Sequence, residues 1–191
     1  MLPPPTLFNP EQHAHLLPRF AEVHIACVQS DHTLATFLPP FNSDCDSTDS
    51  RVLKYWEGKA TQAAAGDRVI IMQMISPEGG LADVLAGFVM LAMPGAETGP
   101  FRGSVEKLLV DPRFRRMGVA KQLMHKLEEV AIAQRRHLLV LDTEVGSPAE
   151  AVYPRLGYTA VGTIPRYGIS PKDGRLVDEI WFYKDLRSHA S

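Results

Sequence analysis

The apolar residues of this chain change their spacing along its length, and each change marks an element. Between residues 11 and 37, Leu16, Phe20, Val23 and Cys27 recur at intervals of three and four, the spacing of one helix face. Residues 51–65 form a second helical segment, which Gly66 closes. The period then shortens to two, so residues 69–75 and 83–91 read as antiparallel strands joined across Pro77-Glu78-Gly79-Gly80. After a loop over 93–103, residues 104–110 make the third strand. Val119, Leu123, Leu127, Val130 and Ala131 return to the helical interval and stripe a long helix that runs to Arg135. Residues 138–144 are an apolar strand. Ser147-Pro148-Ala149-Glu150 then combines a capping serine, a proline at the first helical position and a glutamate three residues on, which predicts a helix of two to three turns ending at Gly157. Ala149, Tyr153 and Gly157 would share one face of it. Residues 164–169 and 177–183 close the chain as a hairpin around 170–175.

From the first strand on, the order β-β-β-α-β-α-β-β predicts one α/β domain over residues 11–187, a mixed and mostly antiparallel sheet flanked by helices. Residues 1–10 hold four prolines and read as a flexible, extended tail, with a second short tail at 188–191. Pro39-Pro40 and the polar run 42–50 predict a mobile loop.

Composition narrows the functional classes. A net charge of −2 argues against an electrostatic nucleic-acid binder, although Arg113, Arg115 and Arg116 make one positive spot of a size suited to a cofactor. No apolar run approaches the roughly 18 residues needed to cross a bilayer, and Met1-Leu-Pro-Pro-Pro lacks the pattern of a signal peptide, so a cytoplasmic location without membrane partners is expected. Cys27 and Cys45 lack metal or redox spacing and read as reduced thiols. His13 and His15, two apart on a helix, point in different directions, so no metal site is expected. Met72, Met74, Met90 and Met93 read as core packing.

The candidate chemistry concentrates at residues 110–120, Val-Asp-Pro-Arg-Phe-Arg-Arg-Met-Gly-Val-Ala. An apolar strand stops at Asp111-Pro112, two arginines precede a glycine, and a helix begins. The first amides of a helix have no internal acceptors and sit at the positive end of its dipole, so this junction favours a pyrophosphate. It lacks the Gly-Lys-Ser/Thr of a nucleoside-triphosphate loop and the three glycines of a dinucleotide fingerprint. Arg115-x-x-Gly118-x-Ala120 instead resembles the acyl-CoA pyrophosphate loop of the GNAT superfamily of N-acetyltransferases. Ala149-x-x-x-Tyr153-x-x-x-Gly157-Tyr158 resembles the second motif of that superfamily. The run Leu-Asp-Thr-Glu-x-Gly-Ser-x-Ala-Glu-Ala-x-Tyr at 141–153, with Tyr158-Thr159, Val161-Gly162, Pro165, Tyr167 and Asp173-Gly-Arg-Leu176, is similar to the tabtoxin-resistance type of acetyltransferase. The match is dense over residues 51–186 and thin before them.

The resemblance implies a GNAT fold with splayed central strands and acetyl-CoA as acetyl donor. It implies a pyrophosphate on the amides of Arg116 to Ala120 with Arg115 and Lys121 flanking, and pantetheine beside Leu108, Leu109 and Val110, with Met117, Val119, Gly146 and Ala149 lining the cofactor. Tyr153 is implied as the acid for the leaving sulfur. Asp142 matches an acidic residue suspected of catalysis in the tabtoxin type. Glu106 lies two residues from Ser104, where that type carries a carboxylate, and can substitute for it because i and i+2 share a strand face. The implied acceptor is a small-molecule amine, bound under the early helices. A peptide acetyltransferase, a non-catalytic acyl-CoA-binding module and a homodimer remain open at this point.

Overall fold

The computed structural model describes residues 2–42, 48–76 and 83–189. Seven strands form one sheet: β1 Thr6–Leu7, β2 Arg68–Ile75, β3 Val84–Ala92, β4 Arg102–Val110, β5 Leu138–Glu144, β6 Thr159–Ile169 and β7 Leu176–Asp185, in lateral order β1-β2-β3-β4-β5-β7-β6. Helices α1 Pro10–His13, α2 Leu17–Asp31 and α3 Ser50–Ala64 precede β2, and α4 Val119–Ala133 connects β4 to β5. Strand alternation divides the core in two. Ile71, Val89, Leu91, Leu139, Leu141 and Phe182 pack with Leu123, Met124 and Leu127 of α4. Ile70, Met72, Phe88 and Met90 pack on the opposite face with Phe20 and Val23 of α2 and Trp56 of α3.

All neighbouring strands run antiparallel except β4 and β5, which are parallel and pair only at Arg102↔Leu138, Gly103↔Leu139 and Ser104↔Val140. Beyond Ser104 the two strands have no ladder between them. A β-bulge accompanies the parting: Phe88 faces Leu109 but Met90 faces Glu106, so Lys107 and Leu108 together oppose one residue of β3. Lys107 takes a left-handed φ of 54°, a conformation that lysine rarely adopts. The extra residue reverses the alternation, so Val105 packs with the α4 core while Leu109 packs with the α2 and α3 core.

Several elements depart from expectation. The first long helix stops at Asp31, where His32 turns left-handed at φ 57°, and does not continue to residue 37. No α-helix forms between Ser147 and Gly157; the segment is a series of turns closed by a 3-10 turn at Pro154–Leu156. Two local causes are visible. The Glu150 carboxylate accepts the Gly146 amide at 2.6 Å, one residue before the expected cap, and Pro154 carries no amide for the next helical bond. Gly157 still ends the segment in the left-handed region at φ 82°. The proline-rich start does not hang free: Thr6 and Leu7 pair with Met72 and Ile71, and Phe8 is buried. The closing hairpin is longer than its apolar pattern suggests, because β6 starts at Thr159 with exposed residues on both faces. The turn at residues 77–80 and most of the polar run 42–50 lie outside the described residues.

Gly87 sets how closely β3, β4 and the start of α4 approach. A Cβ there would lie 2.8 Å from the Leu109 carbonyl and 3.2 Å from both Val110 Cα and Val119 Cγ1. Gly87→Val is therefore expected to cost about 1–3 kcal/mol by overpacking, read as a lower urea midpoint at unchanged slope.

Candidate active site

Asp111 organises the turn between β4 and α4. It caps the 3-10 turn Pro112–Phe114 by accepting the Arg113 amide, and its buried carboxylate also takes the Arg113 guanidinium at 2.8 Å and Arg19 of α2 at 2.5 Å. Burial pushes this carboxyl upward, but the hydrogen bonds from Arg113 outweigh it and hold the group below the usual range. Arg115 turns away to Asp31 at the end of α2 and donates to the Val110 carbonyl at 3.3 Å. Two of the three arginines of the expected positive spot are thus engaged in ion pairs with Asp111 and Asp31. Arg116 remains exposed, at a left-handed φ of 59°, followed by half-exposed Met117 and by Gly118 at φ 90°.

No side chain caps α4, so the amides of its first turn have no partner from a capping residue. Gly118 is also the position where nothing lies within 4 Å of a would-be Cβ. A diphosphate has room to approach this backbone. Val119 is buried in the core and anchors the turn, Ala120 is half-buried and Lys121 is exposed. The backbone at 115–121, where the cradle was expected, is uncapped at the start of α4 and open beside Gly118, and the Arg115 side chain turns away from it.

The gap between β4 and β5 opens beside this cradle. Leu108 and Val110 reach the α4 core, and Leu109 lies on the other face. The turns that follow β5 cover a cleft of about 410 Å³ lined by Gly146, Ser147, Glu150, Pro154, Ile180 and Phe182. Ala149 packs against the same core. Tyr153 is buried here, its ring 5.6 Å from Phe182 and 5.9 Å from Tyr158. Burial, and then the charge of Asp142, push its phenol above the ordinary range, so it keeps its proton at any working pH.

The carboxylates divide into two groups. Glu106 pairs with buried Arg68 at 2.9 Å and lines a shallow cleft with Gln62, Asp67, Met93 and Ser104, at the end where β4 and β5 are still joined. The sequence reading did not single out Arg68. Asp142 is exposed on β5 and stands opposite Trp181 of β7. Glu144, opposite Glu179, is raised by burial and by Asp173. Glu179 is 5% exposed and is pushed up to about 8 by burial and by its hydrogen bond to Asp142 and that residue's charge. Burial holds Lys107 below the usual amine range, although Glu106, Asp142 and Glu179 pull the other way. The fold therefore gathers Asp142, Glu179 and Lys107 and leaves Glu106 with Arg68. Glu179 escaped the sequence reading; its signal is a glutamate between Val177 and Trp181, at an inward position of a strand whose neighbours are apolar.

Residues 32–37 cover this face. His24 of α2 is fully buried among Phe37, Tyr55 and Trp56, and its Nε2 donates to the Ala35 carbonyl at 2.6 Å. Burial lowers His24 to about 4, so the ring is neutral and pins the loop. Leu34 in that loop reaches Gly168 of β6, where the bulge at 165–167 stands beside β7. Among the described residues no cluster of His, Cys, Asp and Glu is arranged to hold a metal, and no helix is long and apolar enough to cross a membrane.

The chain belongs to the GNAT family of acetyltransferases, whose family model matches residues 36–158. Solved structures share its fold throughout. A Salmonella typhimurium protein named as an acetyltransferase and solved with its cofactor acetyl-CoA is 18% identical, with a TM-score of 0.67 over 99% of this chain and 98% of that one. A ribosomal-protein-alanine N-acetyltransferase from Brucella melitensis is 17% identical, with a TM-score of 0.68 over 95% and 99%. A protein named as a phosphinothricin N-acetyltransferase is 15% identical, with a TM-score of 0.69 over 95% and 98%. The fold and the family make this an acetyltransferase that uses acetyl-CoA.

His24 carries a testable pH dependence. Its value is about 4 when folded against 6.5 as the reference, so between those limits the unfolded chain takes up a proton that the folded chain refuses. Its contribution to stability is intact above pH 6.5 and is lost as pH falls through about 4. Urea midpoints of wild type and His24→Phe, compared across that window, should show the steeper acid loss in the wild type.

Proposed function

We propose that the protein transfers the acetyl group of acetyl-CoA to the amino group of a small, amino-acid-like molecule. The observation that carries this reading is the gathering of Asp142, Glu144 and Glu179 on one face of the sheet, with Leu34 of the covering loop and the bulge of β6 beside Glu179. A cluster of carboxylates on one sheet face suits a compact cation such as a primary ammonium. The similarity of residues 141–176 to the tabtoxin-resistance type supports the same acceptor class, and toxin resistance is the biological role it suggests.

Acetyl-CoA supplies an activated acyl group when bound. The residues that would hold it are the uncapped amides from Arg116 to Ala120, with Arg116 and Lys121 adding charge, and the parted backbone of Leu108, Leu109 and Val110. The unladdered amides of β4 can donate to an oxyanion, a contribution that comes from position and needs no side chain. Tyr153, kept protonated by burial, donates to the leaving sulfur. Asp142 orients the acceptor ammonium at the mouth of the gap. Glu106 holds Arg68 and supports that face without touching the acceptor.

Purified protein incubated with acetyl-CoA and a panel of amines, amino acids and lysine peptides, with free thiol as readout, tests the acceptor class. Turnover confined to small amino compounds is expected; efficient turnover of peptides alone would reassign the acceptor. Gly118→Asp places a carboxylate at the cradle and should weaken CoA binding more than about tenfold by calorimetry. Tyr153→Phe removes only the hydroxyl and should lower kcat by roughly 10²- to 10⁴-fold with CoA affinity retained. An unchanged rate in a folded Tyr153→Phe variant would leave Tyr153 a packing residue.

A further inference from the structure

We propose that Glu179, which no motif of the sequence points to, is the group that takes the proton from the acceptor's ammonium, with Asp142 beside it as the ammonium's second carboxylate. The inference rests on the acetyltransferase reading and adds the base that reading leaves unassigned.

Three observations converge on Glu179. The first is register: Asp142 stands opposite Trp181 and Glu144 opposite Glu179, so these four side chains share one face of the sheet, where β4 has parted from β5. The second is an unmet valence. Glu179 is 5% exposed, and its Oε2 is buried without a hydrogen-bond partner. A buried carboxylate lacking a donor is costly unless a cation or a proton supplies one. The third is the approach of β6. Oε1 lies 3.1 Å from where a Cβ on Gly168 would sit, and Leu34 Cδ2 lies 2.5 Å from the same point, so the glycine lets Leu34 and β6 pack close over the carboxyl.

Every charged neighbour bears on this group. Asp142 and Glu144 on β5, Glu179 on β7 and Asp173 in the hairpin turn outnumber Lys107 on β4 and Arg175, which acts on Glu144 and is itself paired with Asp173, while His32 faces Glu144 from the end of α2. β6 presents Gly168 and Leu34 lies in the loop, and neither is charged. The excess of negative charge attracts an ammonium. In the free protein Glu179 is pushed up to about 8 and gives its proton to the hydrogen bond with Asp142. Near that value it is a base matched to a primary amine.

The step balances. One proton leaves the ammonium for Glu179 and then solvent; the freed nitrogen pair attacks the thioester carbon, a C–N bond forms and the C–S bond breaks. The second proton shed by nitrogen replaces the one that Tyr153 donates to sulfur. The products are an amide, a thiol and one proton.

The test compares wild type with Glu179→Gln, using acetyl-CoA and small primary amines whose own pKa is about 10. Wild-type kcat/KM should follow a bell, rising near pH 8 as Glu179 ionises and falling as the acceptor deprotonates. Glu179→Gln should lose at least about 100-fold below pH 8, show only a rise toward the amine's own pKa, and bind acetyl-CoA as before. A second readout needs no turnover. Trp181 lies beside Glu179, so wild-type tryptophan fluorescence should titrate near pH 8 and the Glu179→Gln signal should not. The variant should also match or exceed the wild-type melting temperature at pH 9, because it removes a buried charge. An unaltered bell in Glu179→Gln, or no wild-type titration, would overturn the role of Glu179 alone. Failure of every amine to release thiol from wild type would overturn the acetyltransferase reading and the base with it.

Discussion

The β-bulge at Lys107 and Leu108 is the constraint on which the rest of the site depends. Without the extra residue, β4 would keep one alternation from end to end and would continue its parallel ladder with β5. With it, Val105 and Leu109 enter opposite cores, and pairing to β5 stops after Ser104. A gap through a sheet leaves backbone groups unpaired, which is costly unless a ligand or water reaches them. The left-handed lysine adds strain of roughly 1–3 kcal/mol. Packing on both faces offsets these costs: β3, against which the bulge forms, is buried over seven of its nine residues. A rigid central strand lets its neighbour be irregular.

Periodicity made most of this architecture legible in the sequence. The stripe Val119, Leu123, Leu127, Val130 and Ala131 predicted α4, and all but half-buried Val130 are buried. The glycine at 118 predicted a backbone that a ligand could approach, and the space beside it is open. Misreadings arose where one local signal met another. Ser147 and Glu150 have helix-capping spacing, but Pro154 and the diverted Glu150 carboxylate break the segment into turns. The bulge itself was invisible, because Glu106-Lys107-Leu108 carries no glycine or proline to announce a conformational exception.

Charge was the least legible quantity, since it depends on partners far apart in the chain. Arg113 and Arg115 read as cofactor contacts, yet Asp111 and Asp31 hold them and tie the end of α2 to the turn before α4. Glu106 read as a candidate base, yet Arg68, 38 residues away, claims it. The arginines near the cradle therefore position backbone more than they neutralise phosphate. Arg116 alone of the three forms no ion pair among the described residues, so less guanidinium charge is free beside the first turn of α4 than the composition of the loop suggests.

Asp142 links the two sides of the gap. On the α4 side its charge adds to burial in raising the Tyr153 phenol; on the other it raises Glu179, with which it shares a hydrogen bond. Both groups hold their protons more tightly because one solvent-facing carboxylate stands between them. Acetyl transfer to an ammonium requires a proton to leave the nitrogen on one side and another to reach sulfur on the other. A single negative residue at the parting of β4 and β5 therefore acts on a titratable group on each face of the sheet.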